Sequence, residues 1–140
     1  MESSTSIAVS PNVQIIQDAY ANFLKGNVAA IAAACTEDVV WGSYKNPEVP
    51  FSGMYYGKEG VLEFFKTLSE NIDYTSFEPK EFFSDGDSVF VLGSEEGMVK
   101  TTGSKYGDEW CMHFRLKDGK IKYFFAFVDT YGQVKAYRKV

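Results

Sequence analysis

The hydrophobic pattern of this chain changes period once, close to Asp73. Before that point apolar residues recur at helical spacing. After it they alternate, or run in short stretches separated by turn residues. Helices followed by a run of strands must pack on one face of a sheet, because each helix stripe and sheet face needs an apolar partner. The order predicts an α+β fold, with three helices from the N-terminal half packed on a curved antiparallel sheet. Three helices cannot cover a long curved sheet completely, so this architecture predicts a cone-shaped layer around one apolar pocket. The 140 residues suit one domain, assigned to 10–140 after a short disordered tail over 1–9.

Local signals place the elements. Ser10-Pro11 starts a helix whose stripe is Val13, Ile16, Tyr20, Phe23 and Leu24, and Lys25-Gly26 closes it. Asn27 caps a shorter helix with Val28, Ile31 and Cys35 on one face. Val39-Val40-Trp41 is a short strand, and Gly42 to Gly57 a long loop of the kind that often carries function. A third helix runs from about Lys58 with Val61, Phe65, Leu68 and Ile72 on its stripe. Strands follow around the turns at Ser84–Asp87, Gly103–Gly107 and Lys117–Lys120, and the last runs from Ile121 to Asp129.

Composition removes several functional classes. The net charge of −5 and the lack of any Lys/Arg run argue against nucleic-acid binding. Two cysteines and one histidine lack the number and spacing of a zinc site. No metal and no organic cofactor is expected. No stretch approaches the roughly 18 apolar residues of a membrane span, and the polar start has no leader pattern, so a cytoplasmic protein without membrane contact is expected. Gly-x-Ser-x-Gly, P-loop and dinucleotide fingerprints are absent.

Asp129 is the most informative carboxylate. Strand alternation places it with Tyr123, Phe125 and Phe127, where desolvation raises a carboxyl pKa and suits it to acid/base work. The alternative is an Asp that caps the Thr130-Tyr131-Gly132 turn or a following helix. His113, the lone histidine, is either a proton shuttle or a half-buried strand residue with one satisfied nitrogen. Its face depends on the Asp118-Gly119 turn. A two-residue turn sets His113 opposite Phe124 and puts Trp110 and Met112 with Asp129. A three-residue turn sets it opposite Tyr123, beside Asp129. Trp41, Trp110, Met112, Phe125 and Phe127 are candidate walls of a ligand site, or core. Tyr20 either turns its hydroxyl into the cavity or is a core tyrosine. Tyr56, with Tyr44 and Tyr55, flanks the long loop as a lid candidate.

Three segments resemble the SnoaL-like branch of the nuclear-transport-factor-like, or ketosteroid-isomerase-like, superfamily. They are Tyr20–Asp38, Tyr56-Gly57-Lys58-Glu59-Gly60-Val61 with Phe64-Phe65, and Trp110 through Asp118-Gly119-Lys120-Ile121 to Val128-Asp129-Thr130. The resemblance implies a cone-shaped fold with an apolar pocket, often in a homodimer. Asp129 looks like the final-strand Asp of related epoxide hydrolases and polyketide cyclases. The chain departs from ketosteroid isomerases, with Ser43 or Tyr44 where their base follows the first strand and no carboxylate within Trp110–Phe114. It also lacks the Arg of the epoxide hydrolases, since Val89–Val99 holds only Glu95-Glu96. The resulting expectation is a pocket for a small hydrophobic molecule. It would be an isomerase, cyclase or hydrolase with Asp129 as acid/base, helped by His113 and Tyr20. The alternatives are a non-catalytic carrier and a dimeric scaffold.

Overall fold

The computed structural model describes residues 10–138; the tail expected over 1–9 lies outside them. Ser10 Oγ accepts the Val13 N–H at 3.2 Å and Pro11 opens helix α1 (Pro11–Leu24), which buries Val13, Ile16, Ala19 and Tyr20. Gly26, at φ +78°, turns the chain where a side chain would be strained. Asn27 Oδ1 then caps α2 (Val28–Ala33) through the Ala30 N–H. Strands β1 (Cys35–Ser43) and β2 (Met54–Tyr56) flank the loop 44–53, and α3 (Gly57–Asn71) buries Val61, Phe65 and Leu68. Then come β3 (Ile72–Asp85), β4 (Ser88–Val99), β5 (Lys105–Lys117), β6 (Lys120–Phe127) and α4 (Thr130–Arg138).

The α+β expectation holds, with two refinements. The six strands lie in the order β2-β1-β6-β5-β4-β3, and β1 pairs with β6 in parallel, so the sheet is mixed and unclosed. A fourth helix, α4, adds to the three expected. It is tied down by Thr102 Oγ1 donating to Ala136 O (2.7 Å), Tyr137 OH donating to Asn71 Oδ1 (3.0 Å) and a paired Arg138–Glu48 contact (2.7 and 2.8 Å).

The β5–β6 hairpin has the two-residue turn, with Asp118 and Gly119 both at positive φ and Lys117 opposite Lys120. One pair further on, Leu116 faces Ile121, but Arg115 faces Tyr123, so Lys122 bulges out. The bulge sets His113 opposite Phe125 and Met112 opposite Ala126, a register that neither simple turn produces.

Aromatic rings fill the concave side. Trp41 stacks on Phe124 at 4.2 Å, and Trp110 lies between Tyr20 (6.0 Å) and Phe77 (5.2 Å). Trp110 occupies the space a side chain at position 93 would need: a Cβ on Gly93 would lie 2.5 Å from the indole ring and would also meet the Glu78 carbonyl. Neither a β-strand backbone nor a wedged indole yields easily. Gly93→Ala therefore lowers stability by about 1–3 kcal/mol through overpacking, read as a lower urea midpoint with unchanged m-value. An unchanged midpoint would show that the indole can move aside.

Candidate functional site: a buried carboxyl pair in an aromatic cavity

Strand β4 turns Val89, Val91, Gly93, Glu95, Gly97 and Val99 to the concave side. Strand β5 turns Tyr106, Asp108, Trp110, Met112, Phe114 and Leu116 the same way. The register places Glu95 directly opposite Asp108. Glu95 is 4 % exposed and Asp108 half-buried, and the pairing sets the two side chains next to each other on the concave face. Two carboxylates so close cannot both ionise cheaply, so the pair retains a proton. Burial first, and Asp108 second, push Glu95 up to about 9. Burial also raises Asp108, against the opposing pull of the Asp129 N–H, which donates to Asp108 Oδ2 at 3.0 Å.

Two tyrosines complete the cluster. Tyr74 on β3 and Tyr106 on β5 place their hydroxyls beside each other and beside Glu95, and burial raises both well above the usual phenol range. Tyr106 is 9 % exposed, yet its hydroxyl makes no well-aligned hydrogen bond, and Asp108 Oδ1 likewise has no partner among the described residues. Buried polar atoms are normally satisfied, so this cluster, like the unpartnered indole N–H groups of Trp41 and Trp110, is a polar anomaly of the concave face.

Glu95 and Tyr74 of the cluster line a cavity of about 80 Å³. Its walls are mostly aromatic and aliphatic, from α1, α3, the sheet, the loop residue Phe51 and α4. Glu95 and Gln133 bring polar groups to it, and the lining contains no Lys, Arg or His. Among the described residues no group of three His, Cys, Asp or Glu side chains could hold a metal ion.

The residues singled out from sequence divide between the two faces. Tyr20, Trp41 and Met112 line the cavity, and the Tyr20 hydroxyl donates to Met112 Sδ at 3.0 Å. Trp110 packs behind Tyr20 and borders a shallower cleft shared with Leu92, Phe127 and Asp129. His113 and Phe125 lie on the convex face. His113 stacks on Phe90 at 4.3 Å with Nε2 3.2 Å from Ser88 Oγ, and burial, then Arg115, depress its pKa. Phe125 packs on Tyr44 at 4.8 Å. Phe127 is exposed, and Tyr56 is exposed where β2 meets α3. Asp129 is exposed outside the cavity: its Oδ1 accepts the Gly132 N–H at 3.0 Å and caps α4. The cavity-facing residues of β6 and of the position just after it are Phe124, Ala126 and Val128, the opposite phase from that expected. Sequence reasoning passed over Glu95, Asp108, Tyr74, Tyr106 and Gln133. The available signal was a carboxylate in the apolar phase of two consecutive alternating strands.

A curved sheet closed by helices over an apolar cavity, with acid groups on its concave wall, defines a class of small α+β pocket proteins. The model of the SnoaL-like domain matches residues 16–124, and the chain belongs to that family, within the nuclear-transport-factor-like superfamily. An NTF2-like protein from Burkholderia xenovorans LB400 is 26% identical, covering 94% of this chain and 98% of that one at a TM-score of 0.83. Another, from Burkholderia thailandensis E264, is 27% identical over 92% and 98%, with a TM-score of 0.81. TerC, co-crystallised with polyporic acid, is 23% identical over 92% and 99%, with a TM-score of 0.82. Among curated proteins none matches this chain.

The raised carboxyl has a consequence for stability. A carboxyl whose folded pKa exceeds its unfolded value stabilises the fold fully below the unfolded pKa and loses that contribution as pH rises through the folded one. For Glu95 the window runs from about 4.5 to about 9. Wild-type Tm therefore declines across this range, and Glu95→Gln, which stays uncharged and can donate to Asp108, flattens the decline and raises Tm at its alkaline end. A scan of Tm against pH checks this; identical profiles for the two proteins would place the ionisation elsewhere.

Proposed function

We propose that the chain binds a small apolar molecule in this cavity and moves a proton on it, with the Glu95–Asp108 pair as acid and base. The observation that carries the reading is a nearly fully buried carboxyl on a predominantly apolar wall, next to a second carboxyl. Protonated at neutral pH, Glu95 is a donor to charge that develops on a bound molecule, and Asp108 is positioned to share the proton afterwards. Asp129 enters as a positioning residue, because its backbone N–H holds Asp108 and its side chain anchors α4. Tyr20, Trp41 and Met112 shape the wall. Isomerisation, cyclisation and hydration can each use such a group. Membership of the SnoaL-like family and the organic acid crystallised with TerC support a small-molecule role.

The test is a screen of enones, epoxides and polyketide mimics, followed by variants. Glu95→Gln lowers turnover by about 10²–10⁴-fold, the usual worth of general acid/base catalysis. It leaves the Kd of an unreactive neutral ligand within a few-fold. Asp129→Asn keeps the backbone N–H and so has the smaller effect. Full turnover in Glu95→Gln would remove the pair from the mechanism. Binding without turnover in the wild type would favour a carrier, the reading that suits the predominantly apolar wall.

The convex face supports a homodimer. Leu92, Cys111 and Phe127 form one cross-strand row, and Phe90, His113 and Phe125 the row beside it. Leu92, Phe127 and the nearby Tyr44 are exposed. Contiguous apolar rows of this kind commonly mark interfaces. Sedimentation should give a dimer that Phe127→Lys converts to monomer; a monomeric wild type at high micromolar concentration would rule the interface out.

A further inference from the structure

Helix α4 carries a polar residue where its packing calls for an apolar one. Of its buried residues Val134 and Ala136 are apolar, but the third is Gln133, 4 % exposed. The Gln133 backbone N–H is used, on Asp129 O at 3.2 Å. Its side-chain amide has no hydrogen-bond partner among the described residues, and the residue lines the cavity. The other polar residues of that lining differ from it. The Tyr20 hydroxyl is spent on Met112, Tyr74 lies beside Tyr106 and Glu95, and Ser43 is only partly buried at the end of β1. The Trp41 indole N–H has no partner either, but packing encloses it. A buried amide without a partner costs stability, and Met or Leu would fill the place without that cost. The element that carries Gln133 is also firmly held. Asp129 caps its start, and Thr102, Asn71 and Glu48 fix its second half. An unpaired amide held against a cavity by an anchored helix is pre-organised for a ligand group.

Resting on the reading of the cavity as a ligand site, we infer that Gln133 is a specificity-determining residue, whose amide N–H receives the carbonyl oxygen of an otherwise apolar ligand. The amide nitrogen offers two N–H donors, and Glu95 on the same lining offers its O–H in the function proposed above. A carbonyl has an acceptor oxygen and no donor of its own, so it complements both groups. No Lys, Arg or His lines the cavity, so every donor there is uncharged. The aromatic walls bind any ring of the right size and do not tell one from another. A hydrocarbon of the same shape leaves the amide unpaired, and a site built to hydrogen-bond one group rejects the analogue that lacks it. The walls thus supply affinity, and Gln133 supplies the choice among ligands.

The experiment pairs acetophenone with α-methylstyrene, which has a methylene group in place of the carbonyl oxygen and otherwise the same shape. Both are titrated by amide NMR near neutral pH into wild type, Gln133→Met and Gln133→Leu. Each substitution should weaken acetophenone about three- to tenfold, the worth of one neutral hydrogen bond, and leave α-methylstyrene within about twofold or tighter. The ligand-free variants should unfold at a Tm no lower than that of wild type, because neither buries an unpaired amide. A purely structural Gln133 would instead lower Tm and weaken both compounds together. That result, an acetophenone affinity unchanged in both variants, or binding of α-methylstyrene alone to wild type would overturn the inference and leave the cavity a ligand site without this contact. Binding of neither compound to wild type would overturn the ligand-site reading itself.

Discussion

One extra residue in β6, Lys122, decides which side chains meet the cavity. Cross-strand partners share a face of a sheet, so a one-residue slip exchanges the two faces of a strand. Had the two-residue turn been followed by regular pairing, Met112 on the concave side would face Phe125, and Phe127 and the Asp129 position would follow it inward. The bulge sets Met112 against Ala126 instead. Phe124 is then free to stack on Trp41, and Phe125 and Phe127 go to the convex face beside Tyr44. The aromatic wall within and the apolar rows outside both follow from that single unpaired residue. Lys122 tolerates the bulge because its long polar chain ends in solvent.

The carboxyl pair depends on a different register, that of β4 on β5, which is regular along its length. Regular pairing puts Glu95 on Asp108 with no freedom to separate. Relief by ionising both would require a cation, and the surrounding elements bring only phenols, an amide and hydrocarbon. The pair therefore relaxes by retaining a proton. Such a buried, incompletely satisfied group costs stability, and the cost is met by aromatic packing nearby, where Trp110 lies between Tyr20 and Phe77. The incompletely satisfied polar groups and the proposed acid/base pair lie in one cluster of four side chains.

Much of the fold was legible because its signals are local. Ser10-Pro11, Gly26-Asn27 and Asp118-Gly119 each fix a backbone conformation within a few residues, and all sit where the local reading placed them. The parallel β1–β6 pairing was not legible, since nothing in Val39-Val40-Trp41 names its distant partner. The site was legible only in its walls. Tyr20, Trp41 and Met112 follow from apolar periodicity, which the bulge leaves intact in α1, β1 and β5. Asp129, Phe125 and Phe127 lie beyond the bulge, and their inferred side inherited the missing residue. Glu95 was hidden differently: as one half of Glu95-Glu96 it reads as a solvated acidic step, and only its phase with Val91 and Val99 marks it as inward.

The fate of Asp129 bears on the proton that burial and Asp108 leave on Glu95. The N-terminus of α4 lies close to the pair, and free N–H groups there would act as a partial positive charge able to draw a carboxylate into the ionised form. Asp129 takes that position itself: its Oδ1 accepts the Gly132 N–H, and Gly132 leaves room for the carboxyl where a Cβ would come within 2.7 Å of Oδ2. Only its backbone N–H is passed on to Asp108. The helix end is thereby occupied by an exposed carboxylate, and the buried one is left with phenols and a second acid. The aspartate that looked most suited to acid/base work thus shapes the electrostatics of the pair proposed to do it.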